Sequence, residues 1–262
     1  DDREGHDNYK SFYQDDASHS QTELDRLEAM GYIELFGSWA MLAATFIVTT
    51  LSKIACIIKQ RADDSWKVRF ILDLRRSGMH RLCHVPERVV LPRVTDVATS
   101  ALKTIQAWTD FMGSDDVTQY VTFAVIDFAD AFYTLKLKTD EQGHTAFRTL
   151  KGWAVFTRVP FGMAPAPLLW ARLAALLCRM GQSMYEGWEL RLHCFVDDPS
   201  IVLGGTAQIR DKNLGLLLLL WSALGCRFSW AKAACGPSVV WIGIGLKIRL
   251  RKAVTAMRGR AA

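Results

Sequence analysis

Carboxylates are the residues of this 262-residue chain best placed to do chemistry. Adjacent aspartates occur five times, at 1–2, 15–16, 63–64, 115–116 and 197–198. Four pairs sit in polar surroundings, where a solvated loop accounts for them. Only Asp197 and Asp198 follow a hydrophobic run. Carboxylates beside a core repel one another and lose hydration, so they persist there in the company of a cation or of hydrogen-bond donors. A third carboxylate, Asp127, ends the apolar run VTFAVI at 121–126. Three hard oxygen donors on neighbouring strands suit Mg²⁺, which takes few protein carboxylates and completes its shell with water and substrate phosphates. The plainer reading is a strand-end carboxylate satisfied by an amide or arginine at 127 and an ordinary turn at 197–198.

The elements that must carry these acids are legible as patterns. VTFAVI is β-rich and almost continuously apolar, as a strand buried on both faces would be. LRLHCFVDDPSIVL, at 190–203, shows two apolar runs around Asp197, Asp198, Pro199 and Ser200, which predicts a hairpin with both carboxylates at its tip. WKVRFILDL, at 66–74, predicts a strand whose wet face offers Lys67 and Arg69. Residues 163–180 predict an interior helix, with Pro165 and Pro167 near its first turn and Gly181 as its stop. A further apolar helix at 214–224 ends at Gly225, and 239–250 predicts a closing β-hairpin. Ser20 and Glu23 form a capping-box pattern ahead of Leu24 and Leu27, with Gly31 placed to end that helix. No internal repeat is visible.

Composition narrows the class. Half the residues are hydrophobic, 23% are charged and mean hydropathy is +0.08, which excludes wholesale disorder, collagen-like repeats and coiled coil. The net charge of +5 is uneven: residues 1–50 hold ten acids and three bases, and the last sixteen residues hold six bases and no acid. A basic body suits phosphate, and the basic tail could touch nucleic acid. Residues 1–19 are polar and acidic and are expected to form a flexible arm without chemistry. Six scattered cysteines, without a CxxC pair or a secretory leader, are expected to be reduced, mostly buried thiols of an intracellular protein, cytoplasmic or nuclear. No stretch is apolar for long enough to predict a membrane span.

Taken in order, several segments resemble the fingers and palm of a reverse transcriptase, closest to the gypsy-like class of long-terminal-repeat retrotransposon polymerases. WKVRFILDLRRSG resembles the fingers strand, LPRVTD the linker after it and VIDFADAFYTLKL the first catalytic segment. VPFGMAPAPLLW resembles the segment that selects nucleotide and template, FVDD the catalytic hairpin, LGCRFSWAKAACG the later lysine segment and WIGIGLKI the approach to the primer grip. The likeness runs from about residue 23 to 250.

This resemblance implies an α/β (α+β) fold, a right-hand polymerase palm with an antiparallel sheet backed by helices, plus a fingers subdomain. The expected division is an acidic arm at 1–19, fingers and the start of the palm at 20–120, palm at 121–250 and a basic tail at 251–262, with little room for a thumb and no recognisable ribonuclease H, protease or integrase. It implies RNA-directed DNA polymerase activity by two Mg²⁺ ions, with Mn²⁺ as a substitute, held roughly 3.5 to 4 Å apart by Asp127, Asp197 and Asp198. Phe132 matches the aromatic gate against a 2′-hydroxyl. Arg69, with Lys59 or Arg61, matches residues that hold the triphosphate, Phe161 and Gly162 match the lining of the incoming base, and Lys232 matches the lysine that protonates pyrophosphate. The implied partners are an RNA or DNA template, a primer strand and dNTP, with no membrane and with the oligomeric state open.

Simpler roles compete at each position. Phe132 and Phe161 could be core aromatics, Arg69 and Lys59 solvation of a strand face, and Lys232 a surface lysine. Asp130 is expected to be a cap or salt-bridge partner. Arg172 and Arg179 could face template phosphate or water. His80, Cys83 and His84 hint at zinc, but no second ligand pair follows at a zinc-finger spacing. Pro199 departs from the family pattern after the Asp pair and could alter the exit of the hairpin. The rival functions are a decayed or domesticated nucleic-acid-binding module of the same fold and an RNA-directed RNA polymerase, against which the bulk of Phe132 argues.

Overall fold

Residues 17–60, 64, 66–113 and 118–248 are described by the structure, a computed structural model of the chain. Arg61, most of the acidic arm and the basic tail lie outside the described residues. In chain order the main elements are α1 (Ala17–Ala29), β1 (Ile33–Phe36), α2 (Trp39–Thr45), β2 (Lys53–Gln60), β3 (Trp66–Asp73), α3 (Val94–Met112), β4 (Val121–Val125), β5 (Phe147–Thr149), β6 (Gly152–Phe156), α4 (Ala166–Gln182), β7 (Leu190–Phe195), β8 (Asp198–Gly204), α5 (Ala207–Ala223), β9 (Ala234–Gly236), β10 (Ser238–Trp241) and β11 (Ile244–Lys247). Every ladder between these strands is antiparallel. The chain divides into two compact units, one of residues 1–89 and 130–173, the other of 90–129 and 174–262.

The first unit is built on the β2–β3 hairpin and the sheet β1–β6–β5. Register sorts the hairpin by face: Ile54–Leu72, Cys56–Phe70 and Ile58–Val68 turn inward, and Ile57–Arg69 and Lys59–Lys67 turn outward. The inward face packs with Leu24 and Leu27 of α1, Phe147, Phe156 and Tyr133. α1 begins before the expected cap, so Ser20 lies inside it with its hydroxyl buried and, among the described residues, without a hydrogen-bond partner. Its stop is as read: Gly31 takes φ +66 and the Tyr32 amide donates back to the Leu27 carbonyl at 2.8 Å.

The second unit centres on the sheet β7–β8–β4–β9. Both faces are covered, which is why VTFAVI reads as one apolar run. Val121, Phe123 and Val125 pack with Val97, Ala101 and Trp108 of α3 and with Trp241 and Leu246 of the closing hairpin, whereas Ala124 and Ile201 face Leu214 and Leu218 of α5. α4 exposes Leu169, Leu176 and Met180, so one face of it is interior rather than the whole helix. Gly181 lies within α4, not after it. A Cβ there would sit 2.5 Å from Leu217 Cδ1 and 3.0 Å from Leu192 Cδ1, so it marks close packing instead of a stop. The Gln182 side chain then clasps the edge strand β7, donating to the Leu190 carbonyl at 2.7 Å and accepting from the Leu192 amide at 3.1 Å.

All six cysteines are free: Cys56 and Cys226 are buried, Cys83, Cys178 and Cys194 half-buried, and Cys235 exposed, a wetter set than expected. Among the described residues, no helix is long and apolar enough to cross a membrane.

Candidate active site

The β7–β8 hairpin closes through two residues, Val196 and Asp197, because Phe195 already pairs with Asp198. The turn expected over Asp197–Ser200 is therefore shorter, and Asp198, Pro199 and Ser200 belong to β8. Pairing with β7 extends the strand to Asp198, whereas the ladder with β4 ends at Ser200. Pro199 lacks an amide hydrogen, yet its carbonyl accepts from the Ile126 amide at 3.2 Å and continues the alignment with the β4 side. Val196 takes φ +56, a left-handed conformation that costs a β-branched residue on the order of 1–3 kcal/mol. Bonds on both sides hold it: the Cys194 thiol donates to the Val196 carbonyl at 3.2 Å, and the Phe128 amide donates to the Asp197 carbonyl at 2.8 Å.

This geometry brings ligand oxygens of Asp127, Asp197 and Asp198 within 4.8 Å of one another. Among the described residues it is the one cluster of metal-ligating side chains of this kind, and His80, Cys83 and His84 form none. Lys232, on the short 3₁₀ turn Trp230–Lys232, places Nζ 2.6 Å from Asp127 Oδ2. The backbone delivers it there, since the Ser229 amide donates to the Asp127 carbonyl and the Lys232 amide to the Ser229 carbonyl. Sequence reading missed two supports: the Ser229 hydrogen bond to the Asp127 side chain, and the Trp241 indole donating to the Asp198 carbonyl at 2.9 Å. The indole comes from a strand 43 residues away, so no local pattern announces it.

Electrostatics set the carboxylates apart. Burial, a hydrogen bond to Asp127 and the charge of Asp197 push Asp198 up to about 7. Burial works against the Asp127 carboxylate too, but bonds from Lys232, Ser229 and Asp198 outweigh it and hold Asp127 below the ordinary carboxylate range. The Lys232 ammonium thus stands beside a group of crowded acids. The donor set fits a divalent cation: hard oxygens only, converging, and crowded enough to raise one acid well above its ordinary range.

The remaining predicted residues gather in the first unit. The Arg69 guanidinium lies 5.4 Å from the Phe161 ring centroid, and that ring is 4.9 Å from Phe132. The Phe161 carbonyl accepts from the Leu72 amide at 2.8 Å. Gly162, at φ +100, meets strand β3 so closely that a Cβ would lie 2.1 Å from the Leu72 carbonyl oxygen. Beside this contact an open hollow of about 350 Å³ is lined by Ala55, Ile71, Asp73, Arg75, His80 and Gly162. Lys59 is exposed on the same hairpin face as Arg69, one pair further along. Arg172 is ion-paired with Glu87, and Arg179 is exposed.

The sheet is covered on both faces and carries three convergent acids, and comparison with known proteins gives its family. The chain belongs to the reverse transcriptase (RNA-dependent DNA polymerase) family, whose model matches residues 79–246, more than half of the chain. No curated protein sequence matches it. Among solved structures, the foamy viral protease-reverse transcriptase dRH in complex with double-stranded DNA matches with a TM-score of 0.60 at 18% identity, covering 92% of this chain and 35% of that one. The prototype foamy virus protease-reverse transcriptase CSH mutant matches with a TM-score of 0.57 at 17% identity, covering 88% and 26%. The foamy viral enzyme in complex with an RNA/DNA hybrid matches with a TM-score of 0.55 at 19% identity, again covering 88% and 26%. These likenesses establish the α/β fold of such enzymes. The chain spans about a quarter to a third of the length of those proteins.

Proposed function

We propose that this chain is the fingers and palm of an RNA-directed DNA polymerase of a gypsy-like retrotransposon, extending a primer 3′-hydroxyl with dNTPs on an RNA or DNA template. The observation that carries the reading is the convergence of Asp127, Asp197 and Asp198 in a chain of the reverse transcriptase family. In this reading the second unit is the palm and the first the fingers. When bound, a pair of Mg²⁺ ions would activate the attacking hydroxyl and neutralise the leaving pyrophosphate. Asp127, Asp197 and Asp198 would hold them, with Mn²⁺ able to substitute.

The chain's own groups supply the rest. Lys232 carries a proton beside the reacting centre and is placed to give it to the departing phosphate. Phe132 bars a 2′-hydroxyl, Phe161 and Gly162 shape the base site, and Arg69 and Lys59 meet the triphosphate. The foamy viral structures hold double-stranded DNA and an RNA/DNA hybrid, which supports a template and primer as partners here. Six free thiols support an intracellular setting.

The test is primer extension on an RNA template with Mg²⁺, comparing the chain with Asp197→Asn. The reading requires extension by the first and its loss in the second. Equal extension by both removes the metal assignment, and no extension by either favours a nucleic-acid-binding module without chemistry. Phe132→Ala should gain rNTP use, and rNTP use unchanged from the parent would remove the gate.

A further inference from the structure

One ion pair joins residues 104 positions apart, and its distant acid, Asp130, lies in the segment VIDFADAFYTLKL, where a cap or salt-bridge partner is expected. Arg26, in the last turn of α1, is held from below by Glu23: Nε and Nη2 each reach a carboxylate oxygen at 2.8 Å. Its outer edge reaches Asp130, with Nη1 to Oδ2 at 3.0 Å and Nη2 to Oδ1 at 3.4 Å. Glu23 is buried, and the Asp130 side chain is only 20% exposed. The guanidinium is therefore a fixed fork before it meets its second acid.

Asp130 takes φ +54, a left-handed conformation that residues other than glycine adopt seldom and that a fixed partner helps to hold. Ala131 then returns to the right-handed region at φ −46 and ψ −50, and Phe132 opens the 3₁₀ turn Phe132–Thr134. The direction in which Phe132 leaves the chain depends on that reversal. The same end of α1 supports the next residue, for Tyr32 stacks on Tyr133 at 5.0 Å. Phe132 in turn abuts Phe161, whose ring carries Arg69.

We infer that Arg26 is a positioning residue for nucleotide selection: by clamping Asp130 in its left-handed conformation it fixes the stance of Phe132 and so the strictness with which a ribose is rejected. The inference rests on the polymerase reading above. A bridge that merely staples α1 to the body would alter stability and leave selectivity alone.

The experiment uses the full chain and the variants Arg26→Ala, Arg26→Lys, Asp130→Ala and Asp130→Asn. It measures kcat and KM for dNTP and rNTP, together with amide hydrogen exchange at Thr134 and Leu135, whose amides donate to the Ala131 and Phe132 carbonyls. In Arg26→Ala and Asp130→Ala the preference for dNTP should fall about fivefold or more, mainly through a lower KM for rNTP, and the two amides should exchange faster by a similar factor. Asp130→Asn retains an acceptor and tolerates the left-handed region, so it should restore most of the preference. Arg26→Lys keeps the charge and cannot serve both acids. It should show the same loss, which covers the case in which the alanine variant does not fold. Unchanged preference and unchanged exchange in Arg26→Lys and Asp130→Ala would overturn the inference. Absence of activity in the parent chain would defeat the polymerase reading instead, and the exchange rates would still decide whether Arg26 governs the turn.

Discussion

Protonation at Asp198 is where the metal reading meets solution chemistry. Because its folded value of about 7 exceeds that of an unfolded carboxyl, the folded chain holds a proton that the unfolded chain has released. Between about pH 4 and 7 this group therefore makes stability fall as pH rises. Asp127 has the opposite sign, and its contribution is lost on acidification below about pH 4. In the proposed function, a divalent ion held by these acids would take the place of the Asp198 proton. Added Mg²⁺ should consequently raise the melting temperature more at about pH 8 than at about pH 5.5, and its binding should release about one proton at about pH 5.5 and almost none at about pH 8. Equal shifts at both values would show that the ion binds elsewhere. Val196 offers a second residue-scale check. Glycine suits φ +56 at the first position of a two-residue hairpin turn, so Val196→Gly should stabilise the fold by about 1 kcal/mol in denaturant melts despite its added chain entropy. A loss of stability would mean that the valine side chain outweighs its backbone.

At the scale of elements, the contact between β3 and the 161–162 loop is among the most exacting. A Cβ on Gly162 would strike the Leu72 backbone oxygen, which has no flexible end to move aside, at a φ of +100 that disfavours any side chain. Gly162→Ala should therefore cost about 2 kcal/mol or more in thermal or denaturant unfolding and weaken dNTP binding with it. Wild-type stability in that variant would show that the loop and strand are not so closely docked. The strands themselves were legible because their patterns are local: VTFAVI is apolar throughout since both its faces are covered, and WKVRFILDL alternates since one face of its hairpin is wet. Helix ends were harder. Gly181 resembles a stop, but Leu217 and Leu192 crowd it within α4, and Ser20 resembles a cap inside a helix that starts earlier. The error at Gly181 comes from tertiary neighbours that a local signal does not contain.

For the molecule as a whole, charge is the property that a binding assay reads. A net +5, concentrated outside the first 50 residues, predicts an affinity for template–primer that is largely counterion release. Between about 50 and 200 mM salt the affinity should drop by at least about tenfold, with the same slope for Asp197→Asn, which removes a carboxylate and no basic side chain. A flat salt response would argue against a phosphate-tracking surface.

Residue types and their order determined the family likeness, the three acids and the strands that carry them, because hydrophobic periodicity and strand-end polarity are written into neighbouring positions. Tertiary structure alone decided that the turn is Val196–Asp197, that Lys232 bonds Asp127, that Trp241 supports Asp198 and that Arg26 holds Asp130. Those partners lie far apart along the chain, and only packing of the sheet, the helices and the closing hairpin determines which of many distant side chains arrive within hydrogen-bonding reach.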